Sequence, residues 1–106
     1  MIRHVVLFAL AAEDPAEKQR VAEEMRARML PLASSVPGVL RMDVGFDLGL
    51  VPGHWDVVLV SEHESNAALE AYQVHPHHRE VLDFVAGVVR DKACVDHPLD
   101  GEKPGA

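Results

Sequence analysis

Residues 70 to 81 read EAYQVHPHHREV and gather Tyr72, His75, His77 and His78 around Pro76, in a chain with seven histidines. Imidazole changes charge near neutral pH, ligates zinc and copper, and can cap a helix, so the string offers three chemistries. Metal binding fits the spacing poorly. His75 precedes the proline, outside a regular helix, and His77 and His78 are adjacent. Adjacent helical side chains diverge by about 100°, and no cysteine or pair of carboxylates completes a ligand set nearby. No metal is expected at this cluster, and no cofactor elsewhere. Capping fits His75 well. Pro76 lacks an N–H and pushes the preceding residue out of the helical region, which places His75 at an N-cap or just before it and Pro76 at the first helical position. His77 falls at the edge of the following apolar stripe, near Phe84 and Val88, and is expected to be partly exposed.

His78 differs from both. At helical spacing it projects with Val81, Leu82, Val85 and Val89, so its ring enters the space between helix and sheet. A histidine there must find a hydrogen-bond partner or face a polar cavity. Two readings stay open. One is a core histidine bonded to backbone or water; the other is a neutral imidazole acting as general base, its pKa lowered by desolvation. Tyr72, the only tyrosine, lies six residues earlier, where its hydroxyl can reach the same space or its ring can pack as core. His4 shares a strand face with Ile2, Val6 and Phe8, another polar group among apolar neighbours. If His4, Tyr72 and His78 converge, they make an apolar pocket with a few polar handles, the usual form of a small-molecule site.

The elements that must position these residues follow from periodicity. Residues 2–10 alternate as a strand whose faces are both largely apolar, a pattern that demands cover on both sides. Asp14, Pro15 and Glu17 spell a helix start, with Asp14 as N-cap and Glu17 reaching back as in a capping box. Val21, Met25, Met29 and Leu32 follow at helical spacing, and the helix frays near Leu30–Pro31. SSVPGV is a turn; residues 39–47 form a half-buried strand with Leu40, Met42, Val44 and Phe46 on one face. A glycine- and proline-containing loop leads to a third strand, Trp55 to His63, with Val57 and Leu59 facing one way and Val58 and Val60 the other. Trp55 is expected to pack. Ser65 caps a short helix to Val74, the stripe from His77 to Arg90 makes a second, KACVDH is the last strand, and residues 98–106 form a mobile polar tail. The order β-α-β-β-α-α-β predicts a ferredoxin-like α+β sandwich over residues 1–97, a four-stranded antiparallel sheet with helices on one face. The second apolar face then predicts a homodimer through that face, a second copy of the sheet being its cover.

A length of 106 residues allows one domain, and 48% hydrophobic with 25% charged residues is ordinary for a globular chain. A net charge of −7, with ten Lys and Arg among seventeen acids, argues against a nucleic-acid surface. Cys94 stands alone in ACV and is expected to be a small buried hydrophobe, which suits a reducing compartment. The opening MIRHVVLFALAAED imitates a secretory signal, but cleavage after its ALA leaves less than the roughly 15 to 30 residues such signals need. No stretch approaches the roughly 20 apolar residues of a membrane span. A cytoplasmic location is expected.

The strings IRHVVLFAL, VPGV, WDVVLVS, ALEAYQVHPHH and CVDH together resemble the stress-responsive A/B barrel (Dabb) domain across residues 2 to 97. The resemblance implies a ferredoxin-like protomer that pairs sheet to sheet into a dimeric α+β barrel. By similarity to polyketide-cyclising members, it implies that His78 abstracts a proton alpha to a carbonyl, that Tyr72 holds or polarises the substrate oxygen, and that His4 lines the pocket. An intramolecular aldol closure on a small carbonyl compound, without a cofactor, would follow. Val57 stands where the cyclising members place a histidine, and the first long helix lacks their tyrosine, so the substrate does not carry over. The alternative is a non-catalytic homodimer that binds a ligand or serves in a stress response, since a fold does not fix a function.

Overall fold

The computed structural model describes residues 1–99. Strand β1 (Ile2–Leu10) leads into helix α1 (Pro15–Met29), the single turn α2 (Leu32–Ser35), strands β2 (Val39–Phe46) and β3 (Val57–His63), helices α3 (Asn66–Val74) and α4 (Pro76–Val88), and strand β4 (Val89–Pro98). The four strands form one antiparallel sheet in the order β2-β3-β1-β4. This is the expected ferredoxin-like α+β architecture. The sheet of the single chain is open, with β2 and β4 at its edges.

Local signals set the helix ends. Asp14 accepts the Glu17 N–H at 3.0 Å, and Ser65 accepts the Ala68 N–H at 3.1 Å. Glu17 does not reach back to close a capping box; its carboxylate is bound instead by the Arg20 guanidinium one turn on. The expected fraying near Leu30–Pro31 resolves into a turn followed by α2, which buries Leu32. Gly38, at φ 85°, enters β2 where a Cβ would stand 2.9 Å from that of Ala68, so the turn passes α3 at a distance only glycine permits.

The core lies between the helices and one face of the sheet, where Val6, Phe8, Leu10, Met25, Met29, Met42, Val44, Val57 and Leu59 are buried. Several expected positions shift. Leu40 is 49% exposed because the register slips between Val39 and Arg41, which turns Val39 inward in its place. Trp55 and Asp56 precede β3 rather than opening it. Val89 and Arg90 leave the helix for β4, and Leu82 lies at the rim of the α4 stripe, 37% exposed. Cys94 is exposed, not buried, because β4 is an edge strand outside the cover of the helices. Of the expected tail 98–106, Pro98 ends β4 and Leu99 is buried, its N–H donating to the Met1 carbonyl at 3.2 Å; residues 100–106 lie outside those described. No helix among the described residues is long and apolar enough to cross a membrane.

The opposite face of the sheet has no helix on it. Pairings Val5↔Val60, Leu7↔Val58, Val5↔Val95 and Leu7↔Ala93 place an apolar patch at its centre. Arg3, Arg41, Asp43 and Glu62 form a connected set of ion pairs at one end of this face.

Candidate active site

Pro76 interrupts what would otherwise be one long helix. His75 adopts extended backbone and its Nδ1 accepts the His77 N–H at 3.1 Å, so it is the expected N-cap. His77 is exposed, with its ring 4.9 Å from that of His75. The break swings α4 so that His78, one turn in, faces back toward Tyr72 on α3, their ring centroids 4.3 Å apart. Tyr72 also meets His4 of β1, at 6.4 Å between centroids. The three residues singled out by type thus share one cavity of about 280 Å³, walled by Val6, Phe8, Met29, Leu59, Val81 and Val85. That volume lies just below the roughly 300–1,000 Å³ usual for ligand sites.

The electrostatics of each group follow from its surroundings. The Nδ1–H of His78 donates to the Gln73 carbonyl at 3.1 Å, which leaves Nε2 of the neutral ring with a free lone pair. Burial holds the His78 pKa below its ordinary value, against the Gln73 bond, which works the other way. Tyr72 is 2% exposed, and burial pushes its hydroxyl well above the usual tyrosine range, so it stays protonated and able to donate. His4 is buried, with Nδ1 2.5 Å from the Asp96 carboxylate.

Ser61 and His63 escaped the sequence reading. They continue the inward alternation of Val57 and Leu59, and both are fully buried. Extending that period by four residues would have found them. His63 Nε2 lies 2.8 Å from the Ser61 hydroxyl, Nδ1 is buried without a partner, and the ring packs 4.9 Å from Tyr72. Burial, aided by His4, pushes its pKa down to about 4. Asp96 went unnoticed, and Cys94 was expected only as a buried hydrophobe, because it takes the β1–β4 register to bring them opposite His4 and Val6. Among the described residues His4, Cys94 and Asp96 are the one group of three with ligating atoms close together, all within 4.8 Å.

A one-layer antiparallel sheet backed by helices, with a histidine–tyrosine cavity between the layers, defines a ferredoxin-like α+β domain with a small-molecule-sized pocket. The sequence profile of the stress responsive A/B barrel domain (Dabb) matches residues 2–99, and the chain belongs to that family. No curated protein matches it by sequence. Among solved structures, it is similar to a dimeric protein of unknown function and ferredoxin-like fold from Bacteroides fragilis, with 28% identity, TM-score 0.79, and 91% of this chain covering 93% of that one. A dimeric ferredoxin-like protein of unknown function from Thermobifida fusca is also 28% identical, with TM-score 0.75 and coverage of 92% and 90%. A Dabb family protein with a ferredoxin-like fold from Mesorhizobium loti, 22% identical with TM-score 0.72 over 94% and 97% of the chains, shares the fold.

Proposed function

We propose that this chain is a homodimeric, polyketide-cyclase-like proton-transfer enzyme acting on a small carbonyl compound, with His78 as base. The observation that carries this reading is the orientation of His78: one ring nitrogen is tied to Gln73 and the other is free in a cavity shared with Tyr72. Nε2 takes a proton from the carbon alpha to a carbonyl, and the Tyr72 hydroxyl donates to the oxygen on which the enolate charge gathers. The carbanion attacks a second carbonyl of the same molecule, forming the new carbon–carbon bond. The imidazolium returns its proton to the resulting alkoxide, so the base is regenerated. His4 lines the opposite wall, and the apolar side chains between exclude water. The test is turnover of a panel of linear poly-β-keto thioesters by His78→Ala. A loss of about 10² to 10⁴ is expected with fold and dimer intact; unchanged turnover removes the assignment.

The open sheet face supports the homodimer, as do the dimeric solved structures at 28% identity. Val95 is 62% exposed at its centre, and Val5, Leu7, Val58 and Val60 are only half-buried by the single chain. A second copy laid on this face would complete an α+β barrel, with the Arg3–Glu62–Arg41 ion pairs as its polar rim. The acidic balance, −7, supports a partner other than nucleic acid, and the lone cysteine supports a cytoplasmic setting.

One observation favours a non-catalytic, ligand-binding reading: the Gln73 bond also satisfies His78 as a structural residue. In that case His78→Ala lowers the melting temperature, and no carbonyl compound of the panel turns over.

A further inference from the structure

Cys94, His4 and Asp96 resemble the members of a nucleophilic triad, yet their geometry is not that of a relay. A relay engages both ring nitrogens of the histidine, one on the acid and one on the nucleophile. Here the carboxylate and the thiol approach the same nitrogen: Asp96 Oδ1 lies 2.5 Å and Cys94 Sγ 3.6 Å from His4 Nδ1, with 3.9 Å between sulfur and oxygen. One nitrogen, one sulfur and one oxygen thus surround a common point. Tetrahedral zinc, with bonds of about 2.0 to 2.3 Å, sets such ligands roughly 3.3 to 3.6 Å apart. The nitrogen–sulfur separation already fits; the nitrogen–oxygen distance must open and the sulfur–oxygen distance close slightly, adjustments that the exposed Asp96 side chain can make by turning.

We propose that His4, Cys94 and Asp96 bind one divalent cation of the zinc class on the wall of the cavity, with its remaining coordination positions turned toward the pocket. Three protein ligands with a free position is the pattern of open zinc sites. His4 is the buried member, held in the sheet; Cys94 and Asp96, two residues apart on one face of β4, are the exposed ones. Lys92 on the same face is exposed and can turn to solvent. The site shares His4 and the cavity with the proton-transfer reading but not its base, since His78 is not a ligand.

The probe is Co²⁺ alone, titrated into the purified full chain and then displaced by Zn²⁺. One Co²⁺ per chain is expected, with a thiolate-to-cobalt charge-transfer band in the near ultraviolet that Zn²⁺ abolishes. Cys94→Ser should lose the band, and Asp96→Asn should weaken binding at least tenfold; both positions are exposed, so neither substitution threatens the fold. His78→Ala and His77→Ala should bind as the parent does. Absence of the band, a Cys94→Ser variant that keeps it, or binding lost in His77→Ala, which would place the ion at the start of α4, overturns the assignment.

Discussion

The two faces of the sheet are built from the same strands and differ in what completes them. On the helix-covered face, β1 and β3 bury Val6, Phe8, Val57 and Leu59, then turn polar at one end with His4, Ser61 and His63. The open face carries Val5, Leu7, Val58 and Val60 at its centre and turns charged at the same end, with Arg3 and Glu62. The covered face thus tolerates polar residues inside a packed layer, which is costly unless they are bonded or serve a cavity. The open face keeps its polar groups at the margin, as an interface does. The proposed reaction draws on the first face and the proposed pairing on the second.

The largest effect is expected from reversing that division. Val60→Asp places a carboxylate at the centre of the open face, where pairing would bury it without a partner, so dimer dissociation should strengthen by about 10³-fold or more. Sedimentation of the variant should show folded single chains, with helicity unchanged by circular dichroism. An undiminished dimer would mean that the copies meet elsewhere.

The covered face is sharpened by its buried histidine. With a folded pKa of about 4 against an ordinary 6.5, His63 stays neutral in the native state while the unfolded chain takes up a proton. Between those values the unfolded state binds more protons, so stability falls as pH drops from 6.5 and levels off near 4. Replacing both partners with apolar residues, Ser61→Ala with His63→Leu, should flatten this part of the pH–stability curve. At pH 8 the pair should cost about 1 kcal/mol or less, because no buried donor is left alone. Denaturant melts at a series of pH values decide it; an unchanged slope would assign the pH dependence to other groups.

The smallest effect concerns the break that aims His78. His75→Ala removes the side-chain cap of α4 and should lower stability by about 1 kcal/mol, read from the denaturation midpoint. Turnover should change little, since Pro76 still fixes the break. A large loss of turnover with unchanged stability would give His75 a role in the reaction.

Much of this was legible in the residues. Alternation of period two named β1 and β3 and their two apolar faces, and the Asp14, Ser65 and His75–Pro76 signals named the helix starts. Helical spacing aimed His78 into the space between helix and sheet, and left Tyr72 either to reach that space or to pack as core. What stayed hidden depends on register or on edges. Leu40 faces outward because of a slip in pairing that alternation cannot reveal. Cys94 sits in an apolar string, yet it belongs to an edge strand, and strand order is a property of the sheet. The approach of Asp96 to His4 spans 92 positions of sequence and exists only in the β1–β4 ladder.

The measurement that reaches the central claim most directly needs no substrate: the tautomer and pKa of the His78 ring, from long-range proton–nitrogen correlation spectra of ¹⁵N-labelled chain. The expected result is a proton on Nδ1, a bare Nε2 at neutral pH, and a pKa below the ordinary 6.5 of histidine. A proton on Nε2, or a ring that is already cationic at neutral pH, would contradict a base poised in a desolvated cavity.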